Sequence, residues 1–413
     1  MAEKKRSYFG AATFFVFLLI VLLIALMGRY ERTRRVERFA EEQARFEALS
    51  ESLPDMDEVR RLQVVLKYRP QPLDTVARRQ VRNITGRRKV YGSDQVLTFL
   101  SMAFDGIDFW QDIPCIGVDY GRNREFLGML AADSMATPRQ VRESAALRAQ
   151  SDSLTGKSMD MLQPVDQEVH KLYGALRTLE RGFAETLIMV PPTKRAMASD
   201  ENADRLTWMH PRDAIAAGHP EEPAKEARVA LTDLEKAWKA RDMAAVNASA
   251  KRLDVACRAM DPTGLMQSEE EIDAELSFSQ AAPFVRASWL FFGCAALVLF
   301  GALFRVAWVR WLGIISGIVG LALMAWGFYL RITLGFGVAV HNLYESMIAV
   351  AFSGMAICII IDLARKTSWA LPAGGLAAFI VLELVDQMSG KFDDAIGAPI
   401  AVLANNFWIH IHV

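Results

Sequence analysis

Two histidines at the end of the chain carry metal-ligand chemistry, at a spacing that keeps them apart. His410 and His412 stand in Asn406-Phe407-Trp408-Ile409-His410-Ile411-His412-Val413. Neutral imidazole is the commonest protein ligand for transition metals, the iron of haem among them. If Asn406 caps a helix starting at Phe407, residues two apart differ by about 200° around its axis. His410 and His412 then face opposite sides, and one regular helix cannot present both to one metal. His412 would lie about 9 Å along that helix, near its start. Read from the residues alone, both histidines are polar groups at a membrane interface.

A second cluster, Asn342-Leu343-Tyr344-Glu345-Ser346, opens an apolar run. Asn at an N-cap with Glu three residues later is close to a capping box, and Glu345 would sit at the favourable end of the helix dipole. An acid near the end of a membrane segment is also costly, which makes it a functional signal. Tyr344 suits an interface, with its ring in lipid and its hydroxyl in water. His341, just before the cluster, reads as an interfacial polar residue.

Other groups are less pointed. Arg78, Arg79, Arg82, Arg87, Arg88 and Lys89 form a basic cluster. A solvated helix face is the simplest reading; haem propionates, anionic lipid or an acidic partner are the alternatives. His170, His210 and His219 lack metal-ligand spacing. The cysteines are Cys115, Cys257, Cys294 and Cys358, with no CxxC or CxxCH among them. That excludes a thiol-redox motif and a covalent haem attachment site. Cys294 and Cys358 read as small core residues. Cys115 and Cys257 read as free thiols, since a pairing would need an extracytoplasmic domain and a distance that sequence does not supply. No phosphate-binding loop, nucleophile elbow, zinc-protease or dinucleotide motif is present.

The elements that must hold these groups divide the chain. Residues 29–286 are charged, and 287–413 are dominated by apolar runs. Net charge is −1, with no basic domain to neutralise phosphates, so nucleic acid is not an expected partner. Residues 7–28 are uncharged, and Met27-Gly28-Arg29 is a poor cleavage site, which reads as an uncleaved anchor rather than a signal peptide. Further spans are expected at 287–304, 311–330, 343–363 and 369–385, with a partial one at 407–413. Glu383 and Gly374-Gly375 weaken the fifth.

Short-loop charge gives the orientation. Arg305 and Arg310 lie between the second and third spans, and Arg365 and Lys366 between the fourth and fifth. Both loops are expected in the cytoplasm, which places the N-terminus inside and residues 29–286 outside. The arginines at 29, 32, 34, 35 and 38 argue the reverse, but the two short loops agree with each other. Within 29–286, helices are expected at 31–66 with a break at Leu53-Pro54-Asp55, and at 74–85, 93–104, 138–150, 160–188 and 223–260. The stretch 190–222, with Pro191-Pro192 and His219-Pro220, reads as a loop. In the helix 74–85, Thr75 or Asp74 can cap the start, Ala77, Val81 and Ile84 share a face, and Gly86 can end it.

Taken together, these segments resemble the CcsA/ResC family of System II cytochrome c biogenesis membrane proteins. The Asn342–Ser346 pentapeptide is similar to the family's NLYES-like motif, in which Asn342, Tyr344, Glu345 and Ser346 fall near the external face. Pro72-Leu73-Asp74-Thr75 running to Ile84-Thr85-Gly86, then Asp108-Phe109-Trp110 and Ile113-Pro114, resembles the extracytoplasmic part of large members. The residues from Asn406 resemble the start of a span bearing an external haem-ligating histidine, a role that falls on His412.

The resemblance implies a mainly α fold: a polytopic α-helical membrane protein with a helical extracytoplasmic domain after the first transmembrane helix. The expected divisions are an anchor at 1–28, the extracytoplasmic domain at 29–286 and a multispan domain at 287–413 that is incomplete at its C-terminus. The implied function is haem transport and presentation to apocytochrome c, with assistance to its covalent attachment, in the bacterial cytoplasmic membrane. The implied cofactor is haem, held through its iron by His412 in the full-length protein. The implied partners are a ResB-like membrane protein, apocytochrome c and the lipid bilayer. The family's tryptophan-rich external loop and later histidines do not occur here, so this chain alone is expected to be inactive as part of a cytochrome c synthase. A membrane receptor or sensor, and a multispan transporter, are the competing classes.

Overall fold

Leu73–Thr85 is helical for reasons visible along its length: Pro72 stands before it, apolar residues recur on one face, and Gly86 closes it at φ +66°. Ala77, Val81 and Ile84 are buried, and glycine tolerates the left-handed closing position at no steric cost. This helix belongs to the first of two units of a computed structural model. The structure describes residues 56–66, 69–87, 89–130, 133–182, 186–193, 208–261, 264–334, 343–365 and 369–387.

The first unit runs through Leu276. Its described elements begin with α1 (Asp57–Arg61), β1 (Gln63–Leu66), β2 (Arg69–Pro72), α2 (Leu73–Thr85), α3 (Gln95–Phe104) and α4 (Gly106–Trp110). Then come β3 (Ile116–Gly117), α5 (Gly121–Phe126), β4 (Met135–Ala136), α6 (Pro138–Glu143), α7 (Ala145–Ser153) and α8 (Pro164–Arg181). The unit closes with α9 (Glu221–Lys239), α10 (Met243–Ala259) and α11 (Glu269–Ala281), within which the division of the chain falls. Trp110, Trp238 and Phe99 are the largest of its fully buried side chains.

Several expected helices are cut or replaced. Residues 63–66 form a strand instead of the end of a helix, paired antiparallel with β2 in the register Gln63↔Pro72. β-branched Val64 and Val65 favour the strand, and Pro70 and Pro72 exclude a helical partner. The expected helix at 138–150 breaks at Ser144, whose hydroxyl caps α7 by accepting from Leu147 N at 3.1 Å. That at 223–260 breaks at Arg241, held at φ +57°, and restarts at Asp242, which caps α10. Among the described residues of 160–188 the α-helix is α8, between Pro164 at its start and Gly182 after its end. Within the first expected helix Asp57–Arg61 is helical, as α1, and residues 31–55 lie outside the described residues.

Neither expected cap of α2 holds its place. The helix begins at Leu73, one residue ahead of Asp74, and Asp74 turns inward. Its carboxylate is fully buried between Arg60 at 2.6 Å and Arg78 at 2.7 Å. Burial alone would raise this carboxyl; Arg78 and then Arg60 outweigh it and hold it below its ordinary range. Arg78 is therefore not a member of a purely solvated face, and Arg87 likewise donates to Ser134 Oγ. Arg88 lies outside the described residues.

A buried polar network fixes the hairpin against distant sequence. Gln63 Nε2 donates to the Gln267 carbonyl at 3.1 Å, and Gln267 N donates to Gln63 Oε1 at 2.7 Å. Arg69 pairs with Glu275, to which Gln267 Nε2 also donates at 3.0 Å. Cys115 and Cys257 are free and buried, and burial pushes both thiols well above their ordinary range, which makes them poor nucleophiles.

The second unit includes α12 (Pro283–Leu303), α13 (Ala307–Leu334), α14 (Leu343–Arg365) and α15 (Ala370–Gln387). Among the described residues, three helical stretches are long and apolar enough to cross a membrane: Glu269–Leu303, Ala307–Leu334 and Leu343–Arg365. They contain the expected second, third and fourth spans. The expected fifth is a helix, α15, but it is not one of those three. The first span and the partial sixth lie outside the described residues. α12 packs between α13 and α15, while α14 packs mainly on α15 and more lightly on α13.

Small residues set these contacts. Gly313, Gly317, Gly320 and Gly327 are buried along one stripe of α13, with Met324 between them. A Cβ at Gly313 would stand 2.8 Å from Val298 N, and one at Gly375 would stand 2.7 Å from the Phe291 carbonyl oxygen. Without a hydrophobic drive between membrane helices, such close backbone approach supplies the packing.

Candidate functional site

The glycine stripe of α13 continues to a charge. Residues 313, 317, 320, 324, 327 and 331 are all buried and follow a repeat of four and three, which keeps one face of a helix turned inward. Arg331 is therefore carried into the bundle rather than outward. An isolated cation there would be costly, and its partner comes from the next helix. Arg331 Nη2 donates to Glu345 Oε1 at 2.6 Å, and Nε reaches the same oxygen at 3.2 Å. Both residues are almost wholly buried, at 2% and 1% exposure. The Arg331 guanidinium also lies over the Tyr344 ring, 5.2 Å from its centroid.

This geometry revises the reading of the Asn342–Ser346 segment. Glu345 is in the first turn of α14, as expected, but its carboxylate also serves a buried ion pair. The Tyr344 ring is half-buried against Arg331 and the bundle core, not simply turned to lipid. Ser346 is half-buried beside them. Asn342 and His341 lie outside the described residues.

A second pair stands at the other end of the same two helices. Arg310 Nη2, near the start of α13, lies 3.2 Å from Asp362 Oδ2, near the end of α14. Asp362 is fully buried. The antiparallel helices α13 and α14, which touch lightly along their length, are thus joined by charge at both ends. A third acid, Glu383 on α15, takes part in a 2.9 Å hydrogen bond with Ser288 Oγ of α12.

The residues do not assemble a metal centre among the described part of the chain, where no group of three or more potential ligands occurs. His170, His210 and His219 all belong to the first unit. His210 Nδ1 accepts from Arg212 N at 3.1 Å. Burial pushes the His219 imidazole down, against a backbone hydrogen bond at Pro191 that works to raise it. Among the described residues the bundle offers no imidazole. His410 and His412 lie outside them.

Arg331 and Arg310 are the residues that reading along the chain missed as partners. The signal for Arg331 was present: it stands four residues beyond Gly327, on the glycine face. The expected span stopped at residue 330, one short of it. The partner of Asp362 had no comparable signal, because the Arg310 contact joins residues 52 apart.

Fold and charges together define a mainly helical protein, with helices long and apolar enough to cross a membrane, and with one buried and one half-buried ion pair within their bundle. No protein-family model matches the chain, and no curated protein matches it either.

Proposed function

We propose that this chain serves c-type cytochrome biogenesis, handling haem at the extracytoplasmic face of a bacterial cytoplasmic membrane. The reading rests on the resemblance of Asn342–Ser346 and of the residues from Asn406 to the CcsA/ResC family. The observation that best supports it is the burial of Glu345 and its pairing with Arg331. A simple helix cap at an exposed end needs no such partner, whereas a position fixed by a buried charge pair suits a group that must be held in one place. Under this reading His412 binds haem iron, with a ResB-like protein and apocytochrome c as partners. Haem supplies the vinyl groups to which cysteine thiols are joined. The protein's part is positioning.

Deleting the gene is expected to abolish covalent haem in cellular c-type cytochromes, read by haem staining of denatured protein. His412→Ala is expected to lower bound haem, read by absorbance of the purified protein. Cytochromes that keep their covalent haem after deletion reject the function. Normal haem content in the variant rejects the role of His412 alone.

The orientation belongs to the same proposal. A cysteine tag within 190–222 is expected to react with an impermeant reagent on intact cells, and one beside Arg365 only after lysis. The opposite pattern reverses the topology and moves Glu345 to the cytoplasmic face.

A further inference from the structure

The charged residues of the bundle are sorted by end. At the end where α12 gives way to α13 and α14 finishes stand Arg305, Arg310 and Arg365 against one acid, Asp362. At the opposite end Arg286 and Arg331 stand with three acids, Glu345, Glu383 and Asp386. These nine are the charged residues of α12 to α15 and the α12–α13 turn, among the described residues. The cations differ in availability as well as in number. Arg331 is withdrawn into its pair with Glu345, which leaves Arg286 as the exposed cation of the acidic end among the described residues, whereas Arg305 and Arg365 are both exposed.

Local structure explains why Arg305 projects. The turn from α12 to α13 is tight: Val306 N donates to the Gly301 carbonyl at 2.9 Å, and Arg305 takes φ +58°. A Cβ at Gly301 would stand 2.6 Å from Arg310 N, so only glycine permits the approach. Arg365 closes α14 one turn beyond Asp362, and the Arg310–Asp362 pair brings the two helix ends together.

Aromatic residues ring the same end. Trp308, Trp311 and Trp369 are 58–69% exposed, and Phe304 at 58% lies beside them in sequence. Indole at a bilayer surface sits at the headgroup level. Further along α13, Trp326 and Tyr329 are the next exposed large aromatics. They lie about 22–27 Å from Trp311 at 1.5 Å per residue, close to the thickness of a hydrocarbon layer.

We infer that the end bearing Arg305, Arg365 and the exposed tryptophans is a binding surface for anionic phospholipid headgroups. The inference rests on the membrane reading of the bundle and is independent of haem. Tryptophan fixes the depth, and the exposed guanidinium groups meet headgroup phosphate and its net negative charge. The opposite end, richer in acids, gains nothing from such lipids.

The test uses the full chain, reconstituted in vesicles of phosphatidylglycerol and phosphatidylcholine in equal amounts and extracted in a neutral detergent. Co-purified lipid is measured by mass spectrometry. Phosphatidylglycerol is expected to be enriched, by roughly fivefold for each exposed arginine it meets. The double variant Arg305→Asn, Arg365→Gln is expected to lose the enrichment; asparagine tolerates the left-handed position. Arg286→Gln, at the other end, is expected to keep it. Equal retention of both lipids by the unmodified chain overturns the inference alone, as does enrichment that survives the double variant or vanishes with Arg286→Gln. A chain that stays soluble without detergent and carries neither lipid overturns the membrane reading as well.

Discussion

Arg331→Leu is expected to destabilise the helical bundle by about 3–5 kcal/mol, because it leaves the Glu345 carboxylate buried without its main counter-charge. Glu345→Gln should be comparably damaging, since it strands the guanidinium instead. Removing both charges together, as in Arg331→Met with Glu345→Leu, is expected to recover most of the loss, because two desolvation penalties vanish with the attraction. The helix-cap account of Glu345 gives a different pattern. It assigns about 1 kcal/mol to Glu345→Leu, spares Glu345→Gln and predicts nothing for Arg331. Thermal unfolding in detergent, followed by helical circular dichroism, separates the two. An Arg331→Leu protein as stable as its parent would remove the ion pair from the account.

The second large effect concerns glycines. Gly313→Ala and Gly375→Ala are each expected to cost about 1–3 kcal/mol, because the added methyl meets backbone as well as side chain: Val298 N at 2.8 Å and the Phe291 carbonyl oxygen at 2.7 Å, neither of which can swing away. Gly354→Ala, on the exposed face of α14, is the control, because a methyl added there meets no heavy atom within 4 Å. Alanine at that position should be neutral or stabilising by up to about 1 kcal/mol, through helix propensity alone. The same unfolding measurement reads all three. Equal behaviour of the three variants would falsify close packing along these faces.

Much of this architecture is legible along the chain. Apolar runs of sufficient length mark α12, α13 and α14, because crossing hydrocarbon depends on composition and length, both local properties. The helix α2 and its glycine end follow from periodicity and one conformational preference. The breaks at Ser144 and Arg241 had weaker signals: a cap residue inside a helical pattern competes with propensity, and packing decides between them.

Composition and periodicity were enough to specify a mainly helical chain with a charged segment before its apolar helices and to single out Glu345; the acid Asp362 also stands in an apolar run. What those acids do emerges only once the helices are packed. Glu345 meets Arg331 across residues 335–342, and Asp362 meets Arg310 across most of two helices. Asp74 turned from an expected cap into a buried counter-ion for Arg60 and Arg78, and Gln63 and Arg69 found partners more than 200 residues away. One cause underlies each case. Hydrophobic periodicity is a property of one segment, so it can be read from that segment. A buried charge or amide is stable only against a complementary group, and which group arrives is settled by how the helices pack.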